Sequence, residues 1–298
     1  MRTKLGAVIP QTELPADPAA LRDFAQAIES LGYDHLVSYD HILGADIGNR
    51  PGWGSDFTNR TPFFEPLSLF SFLAGVTDHI GFTTGVLVLP LRQTALVAKQ
   101  TAMLDLLSRG RLRLGVGAGY NAVEFEGMGV PLAGRGERFD EQIALLRALW
   151  TQASITFSGR YHTVSEAGLC PLPLQQPIPL WIGGNSPAAL ARAARLGDGW
   201  MPVLPAAEAG RWMTIFHDAV RQAGRNPAEV GFEIMISAGA TRGGHSARPR
   251  SPVEVAQDSL AWIGAGATHV SVQSMDAGLA RPEAQVAFFE RLIALIRN

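Results

Sequence analysis

Continuous apolar runs alternate with amphipathic segments along the whole chain. The first pair is the apolar run 5–10 and the segment 18–31, where apolar residues recur every three or four positions. That spacing places them on one face of a helix. Asp17 is positioned to cap the helix at its start, and Gly32 is positioned to end it. The sequence therefore predicts a buried strand followed by an amphipathic helix.

Seven further pairs of the same kind follow. The predicted strands lie at 33–38, 79–90, 111–119, 179–184, 199–203, 230–237 and 268–274. The predicted helices lie at 66–77, 94–107, 138–150, 186–196, 206–223, 252–263 and 282–296. Eight strand-then-helix units predict an α/β fold, a (β/α)8 TIM barrel formed by one domain over residues 1–298. An open doubly wound sheet is the alternative, because such sheets also alternate strand and helix.

Residues 151–178 interrupt this alternation. They contain a segment typical of a small hairpin, and then a proline-rich return to the core. We expect this to be an insertion between the fourth and fifth barrel strands.

Composition narrows the class of protein. The 298 residues carry 25 Lys plus Arg and 27 Asp plus Glu, so the net charge of -2 does not favour nucleic acid as a partner. One cysteine excludes a disulfide framework. No apolar run reaches the length that spans a membrane, and the first residues lack a secretory signal pattern. We expect a cytoplasmic protein with no membrane partner.

A barrel places its active site at the carboxyl ends of its strands. The second strand ends in Asp40 and His41, a carboxylate beside an imidazole that can exchange a proton near neutral pH. The alternative is structural: Asp40 caps the following loop, and His41 bonds to backbone.

Glycines mark the ends of two further strands. Gly85 interrupts the third strand, either for close approach of a ring or as a bulge that helps to close the barrel. The run 115–121 ends the fourth strand, but its glycine spacing does not match a dinucleotide fingerprint. These small residues suggest a flat ligand nearby, with Tyr120, Asn121 or Glu124 pointing at it.

The fifth strand runs into Gly183, Gly184 and Asn185 just before a helix. Backbone N–H groups and a helix N-terminus at one point can bind phosphate. The alternative is an ordinary turn with Ser186 as helix cap. No HExxH motif or carboxylate cluster has metal-ligand spacing, so no metal site is expected.

Taken together, these segments resemble the bacterial luciferase-like flavin barrel superfamily. The matching pieces, in family order, are SYDHI at 38–42, the segment 63–90, the segment 110–130, RGERFDEQIALLRALW at 135–150, FSGRY at 157–161 and the segment 179–200. The resemblance implies a TIM barrel that binds FMN or the deazaflavin coenzyme F420, and also a homodimer. It further implies a non-prolyl cis peptide at Gly85–Val86.

The same resemblance implies roles for particular residues. His41 and Asp40 would be catalytic, and the phosphate would lie at the turn that begins at Gly183. The cofactor-binding residues it implies are Asp40, Thr84, Gly85, Val86, Gly119, Tyr120, Asn121, Gly183, Gly184 and Asn185. Some deazaflavin dehydrogenases have a glutamate where this chain has Tyr120. If the reaction of this protein needs that proton, either Glu124 or Asn121 supplies it or the chemistry differs.

The leading hypothesis is an F420-dependent oxidoreductase that exchanges a hydride with a small organic substrate, with His41 oriented by Asp40. Its rival is an FMN-dependent monooxygenase that takes reduced flavin from a partner reductase and uses oxygen. A non-catalytic flavin-binding protein is a third possibility, and a metal-assisted hydrolase using Asp40, His41 and Glu65 is a fourth. We expect the loops 43–62 and 238–251 to cover the pocket. Trp53, Phe57 and Phe63 form either a substrate wall or packing within the lid.

Overall fold

The computed structural model describes residues 2–50, 57–239 and 248–297. Eight parallel strand positions form a closed barrel, with one position divided into two short strands. The barrel strands are β1 (Lys4–Val8), β2 (His35–Ser38), β3 (Gly81–Thr84) with β4 (Leu87–Val88), β5 (Leu112–Gly117), β8 (Leu180–Gly183), β9 (Gly199–Met201), β10 (Gly231–Ser237) and β11 (His269–Gln273). The two remaining strands, β6 (Ile155–Ser158) and β7 (Thr163–Ala167), form a separate hairpin.

Nine α-helices lie in the described part of the chain. They are α1 (Pro18–Ser30), α2 (Pro66–Ala74), α3 (Thr94–Leu107), α4 (Ala122–Gly127), α5 (Arg135–Thr151), α6 (Pro187–Leu196), α7 (Ala209–Gln222), α8 (Pro252–Gly264) and α9 (Pro282–Arg297). Several of them begin at a capping residue: at α1 Asp17 accepts the Ala20 N–H, and at α8 Ser251 forms a capping box with Glu254.

Strand pairing confirms the predicted barrel and excludes the open sheet. β1 pairs with β11 on one side and β2 on the other, and β3 also pairs with β5, which completes the ring. The predicted third strand over 79–90 is not continuous. It divides at Gly85–Val86, whose peptide bond is cis, and turns into a short 3-10 helix at Leu89–Leu91.

The insertion lies between β5 and β8, as predicted. Its hairpin turn is fixed by Glu141 of α5, which accepts the N–H groups of Arg160 and Tyr161 and contacts His162 Nδ1 at 2.7 Å. Among residues 2–50, 57–239 and 248–297, no helix combines the length and apolarity needed to cross a bilayer.

A buried ionic network fills the barrel near the amino ends of its strands. Glu233 Oε1 lies 2.7 Å from His35 Nε2, and Glu233 Oε2 lies 2.7 Å from Arg113 Nη2. The Arg113 guanidinium also stacks 4.2 Å from the Trp181 ring. A cavity of about 140 Å³ adjoins this network, at the end of the barrel opposite the strand carboxyl ends.

Burial controls the protonation of this network. Although burial alone raises the pKa of Glu233, Arg113 and His35 hold it well below its usual range. Burial lowers the pKa of His35, and burial with Arg113 lowers the pKa of His269 to about 3. Both histidines are therefore neutral in the folded protein at pH 7, whereas in the unfolded chain they bind protons near pH 6.5.

Stability should fall as the pH drops below 6.5. Below that pH the unfolded chain binds protons at His35 and His269 that the folded protein does not bind. For His269 this lowers the free energy of unfolding by about 1.4 kcal/mol per pH unit, and His35 changes it in the same direction. Urea unfolding between pH 7.5 and pH 5 measures the slope. His269→Gln should flatten it, and His79→Gln, an exposed control, should not. Equal slopes in all three proteins would contradict the assignment.

Candidate active site

The loop after β2 carries both residues predicted to be catalytic. Asp40 is buried and uses both oxygens: Oδ2 accepts the Val88 N–H at 2.9 Å, and Oδ1 accepts from Arg92 Nη2 at 2.8 Å. The carboxylate therefore joins β2 to the end of β4. The prediction that Asp40 orients His41 is wrong, because the Asp40 carboxylate is committed to Val88 and Arg92.

Arg92 also argues against the metal-assisted hydrolase. Its Nη1 lies 3.1 Å from Glu65 Oε1, so one guanidinium pairs with both carboxylates of the proposed ligand set and occupies the place between them that a metal ion would need. In the described ranges, no group of three His, Cys, Asp or Glu side chains could hold a metal ion.

His41 instead meets Glu124, a buried residue in the first turn of α4. Glu124 Oε2 lies 3.3 Å from His41 Nδ1, and Glu124 Oε1 accepts the Ile42 N–H at 2.6 Å. Burial raises the pKa of Glu124, but the bonds from His41 and the loop backbone outweigh it and leave the pKa lowered. Glu124 is therefore a carboxylate at neutral pH.

Two aromatic rings hold the imidazole. The Phe57 ring is stacked on His41 with centroids 3.9 Å apart, and the Phe63 ring meets it edge-on at 4.8 Å. Gln11 connects the two loops that carry these residues, because its Oε1 accepts the N–H of Phe64 while its Nε2 donates to the Tyr39 carbonyl just after β2. Trp53 lies outside the described residues, because residues 51–56 and 240–247 of the two loops predicted to cover the pocket are not described.

A cavity of about 190 Å³ opens beside His41. Its walls are three rings, one aliphatic side chain, one glycine and three polar side chains: His41, Phe57, Phe63, Ile42, Gly44, Thr58, Asn59 and Thr61. This volume accepts a small molecule but is too small for a tricyclic ring system. The other candidate residues lie at the mouth of the barrel, at the carboxyl ends of the strands.

The turn after β8 is exposed at that mouth. Gly184 has φ +116°, which favours glycine, and Ser186 caps α6 by accepting the Ala189 N–H. The Asn185 side chain exchanges two hydrogen bonds with the Val203 backbone, at 2.9 and 2.8 Å. Within the described chain, the N–H groups of Asn185 and Ser186 have no acceptor. They can bind an anion.

The strand-end glycines have a packing explanation that the sequence did not show. A Cβ on Gly183 would lie 2.5 Å from Val86 Cγ1, and one on Gly117 would lie 2.7 Å from Val86 Cγ2. The Val86 side chain thus fills the space that both glycines leave. Thr84 is fully buried, and its hydroxyl donates to the Gly115 carbonyl at 2.6 Å.

The end of β5 combines an exposed aromatic ring with a buried amide. Gly119 has φ +72°, and Tyr120 is 63% exposed. Asn121 is buried and caps α4 by accepting the Val123 N–H, but its Nδ2 has no partner among the described residues. A buried donor without an acceptor is costly, so a ligand carbonyl at this point would be favoured.

The predicted residues therefore occupy the mouth of one barrel in two groups. His41 and Glu124 form a pair beside the small cavity. The second group follows the ends of β3, β5 and β8: Val86 after β3, Gly119, Tyr120 and Asn121 after β5, and Gly184 and Asn185 after β8.

Comparison with known proteins identifies relatives along most of the chain. A family model described as luciferase-like monooxygenase matches residues 3–277. An uncharacterised protein of Mycobacterium tuberculosis (strain H37Rv) is 38% identical over 182 residues, 59% of this chain and 62% of that protein. The alignment therefore spans about three fifths of that relative's length.

Two relatives have named activities. An F420-dependent glucose-6-phosphate dehydrogenase of Amycolatopsis mediterranei is 30% identical over 72% of this chain and 60% of that protein. An FMNH2-dependent dimethylsulfone monooxygenase of Pseudomonas putida is 30% identical over 59% of this chain and 46% of that protein. An F420-dependent secondary alcohol dehydrogenase, solved with an F420-acetone adduct, superimposes with a TM-score of 0.80 at 19% identity and covers both chains fully, which supports the fold.

Asp40→Asn should destabilise the protein. The amide can still accept the Val88 N–H, but Arg92 loses a charged partner, at a cost of about 1–3 kcal/mol. Thermal and urea unfolding measure the change, with the exposed Asp23→Asn as the matched control. An Asp40→Asn protein as stable as the wild type would show that the ion pair does not stabilise the loop.

Gly183→Ala should also destabilise, by about 1–3 kcal/mol, because its methyl group overlaps Val86. Removing the Val86 methyl groups in the double variant Val86→Ala/Gly183→Ala should recover part of that loss. Gly210→Ala, where a Cβ would meet no atom within 4 Å, is the control. If the stability lost in the double variant equals the sum of the losses in Val86→Ala and Gly183→Ala, the packing explanation fails.

Proposed function

Because the chain belongs to the luciferase-like monooxygenase family, we propose that it is an oxidoreductase that transfers a hydride between coenzyme F420 and a small organic substrate. The observation that carries the proposal is His41, a titratable side chain at the carboxyl end of a barrel strand, beside a cavity of about 190 Å³. The F420-dependent relative that aligns with 72% of this chain supports the choice of coenzyme.

The mouth of the barrel has groups that fit such a coenzyme. The N–H groups of Asn185 and Ser186 would hold its phosphate, at the positive end of α6. Asn121 Nδ2, buried without an acceptor, would donate to a carbonyl of its ring system. Gly85, Val86 and Gly119 would lie along the ring, and Tyr120 would cover it. When bound, F420 supplies a two-electron hydride donor or acceptor.

The proton transfer that accompanies the hydride transfer is the role of His41. Its imidazole would take the substrate proton when the substrate is oxidised and return it when the substrate is reduced, a contribution of about 10²- to 10⁴-fold in rate. The walls of the cavity favour a compact substrate, because the rings of Phe57 and Phe63 limit its width. In the described part of those walls there is no lysine or arginine.

An FMN-dependent monooxygenase is the second candidate. It is favoured by the FMNH2-dependent relative, which is 30% identical over 59% of this chain. That reaction consumes oxygen and needs reduced flavin from a reductase, whereas hydride exchange with F420 needs neither.

Equilibrium binding of F420 and FMN to the same preparation tests the proposal. We expect F420 to bind more tightly, and Asn121→Ala to weaken its binding about 10-fold or more, as loss of one directed bond to a buried group predicts. Gln222→Ala, at the far end of α7, is a control for non-specific effects. A clear preference for FMN, together with substrate-dependent oxygen uptake, would replace the proposal with the monooxygenase.

His41→Ala separates an enzyme from a non-catalytic flavin-binding protein. We expect the variant to bind the cofactor normally but to lose activity by about 100-fold or more. Unchanged turnover in the variant would remove His41 from the mechanism.

A further inference from the structure

The contact between Glu124 and His41 joins a buried carboxylate to the imidazole of the site. A histidine ring can carry its single proton on either nitrogen, and the partner of one nitrogen decides which nitrogen is left for chemistry. Glu124 is only 1% exposed and meets Nδ1, while Nε2 has no partner within residues 2–50, 57–239 and 248–297. The two nitrogens therefore have unequal surroundings.

We propose that Glu124 is a positioning residue that holds the His41 proton on Nδ1 and so keeps Nε2 free to exchange a proton with the substrate. An ionised carboxylate can only accept a hydrogen bond, so Nδ1 must be the donor across the 3.3 Å contact. This proposal rests on the proposed role of His41 and extends it to a residue that need not touch the substrate.

The two oxygens of Glu124 have separate tasks. Oε1 accepts the Ile42 N–H at 2.6 Å and fixes the loop backbone next to His41. Oε2 faces the imidazole. The carboxylate thus sets both the position of the loop and the protonation pattern of the ring, and these tasks can be separated by substitution.

The aromatic contacts make the orientation specific. Phe57 covers one face of the imidazole at 3.9 Å, and Phe63 packs against it at 4.8 Å. Rotation of the ring would require both phenyl groups to move. The contact with Glu124 then selects one of two tautomers in a ring whose plane is already set.

Glu124→Gln separates the two tasks. The amide oxygen can still accept the Ile42 N–H, but the amide nitrogen would donate to Nδ1 and move the imidazole proton to Nε2. Glu126→Gln is the matched control on the same helix, because Glu126 is exposed and pairs with Arg50 instead. Glu124→Asp keeps the charge and tests rescue.

Nitrogen-15 NMR of the histidine side chains gives a readout that needs neither cofactor nor substrate. The His41 signals are assigned by their loss in His41→Asn. We expect a protonated Nδ1 in the wild type and in Glu126→Gln, and a protonated Nε2 in Glu124→Gln. Thermal unfolding verifies that all variants are folded.

Steady-state kinetics with the cofactor bound gives the second readout. We expect Glu124→Gln to lower kcat by about 100-fold at nearly unchanged KM, because the proton lies on the wrong nitrogen. Glu124→Asp should recover part of that loss.

The outcomes are distinguishable. If the tautomer changes but no cofactor or substrate is bound by any form, the proposed function fails and the positioning by Glu124 stands. If Glu124→Gln is folded and keeps the Nδ1 proton, or keeps full kcat, the positioning role is overturned whatever the cofactor.

Discussion

The ion pair between Asp40 and Arg92 determines how the mouth of this barrel is built. It is buried, and the same carboxylate accepts the Val88 N–H, so one side chain joins β2, β4 and the segment before α3. A second carboxylate, Glu65 at the start of α2, shares the guanidinium. Because Asp40 is occupied there, the neighbouring imidazole is available to Glu124. The proposed chemistry of His41 thus depends on the Asp40–Arg92 ion pair, although neither member of that pair takes part in the reaction.

Much of the fold could be predicted from sequence because the strands are continuous apolar runs, the helices have helical spacing of apolar residues, and several helices begin at a capping residue. The helix at 94–107 has the predicted bounds, and Asp17 and Ser186 cap as their positions suggest. The division of the third strand was less visible. A glycine within an apolar run is compatible with a bulge, a ligand contact or a break, and only the neighbouring strands show which one occurs.

The sequence predicted that the candidate residues lie at the carboxyl ends of the strands, but the predicted pairing of Asp40 with His41 is wrong. Adjacency in sequence suggested that Asp40 serves His41, but successive residues at a strand end point in different directions. Their partners, Arg92 and Glu124, lie 52 and 83 residues away, a separation that no local pattern encodes. The only signal for Arg92 was a lone cation directly after an apolar strand. Likewise, the small residues at 115–121 suggested a flat ligand and the turn at Gly183 suggested phosphate, whereas the side chain of Val86 occupies the space beside both Gly117 and Gly183. The homodimer and the cytoplasmic location stay predictions.

The reciprocal bonds between Asn185 and Val203 have a consequence beyond the turn that they close. They connect the loop after β8 to the loop after β9, so the two loops cannot shift independently. A ligand anchored on the amides at 185 and 186 would therefore restrain the approach to α7 as well. Ligand binding at the turn after β8 would thus also reduce the mobility of the segment that leads to α7, although α7 itself contributes no group to the binding of the ligand.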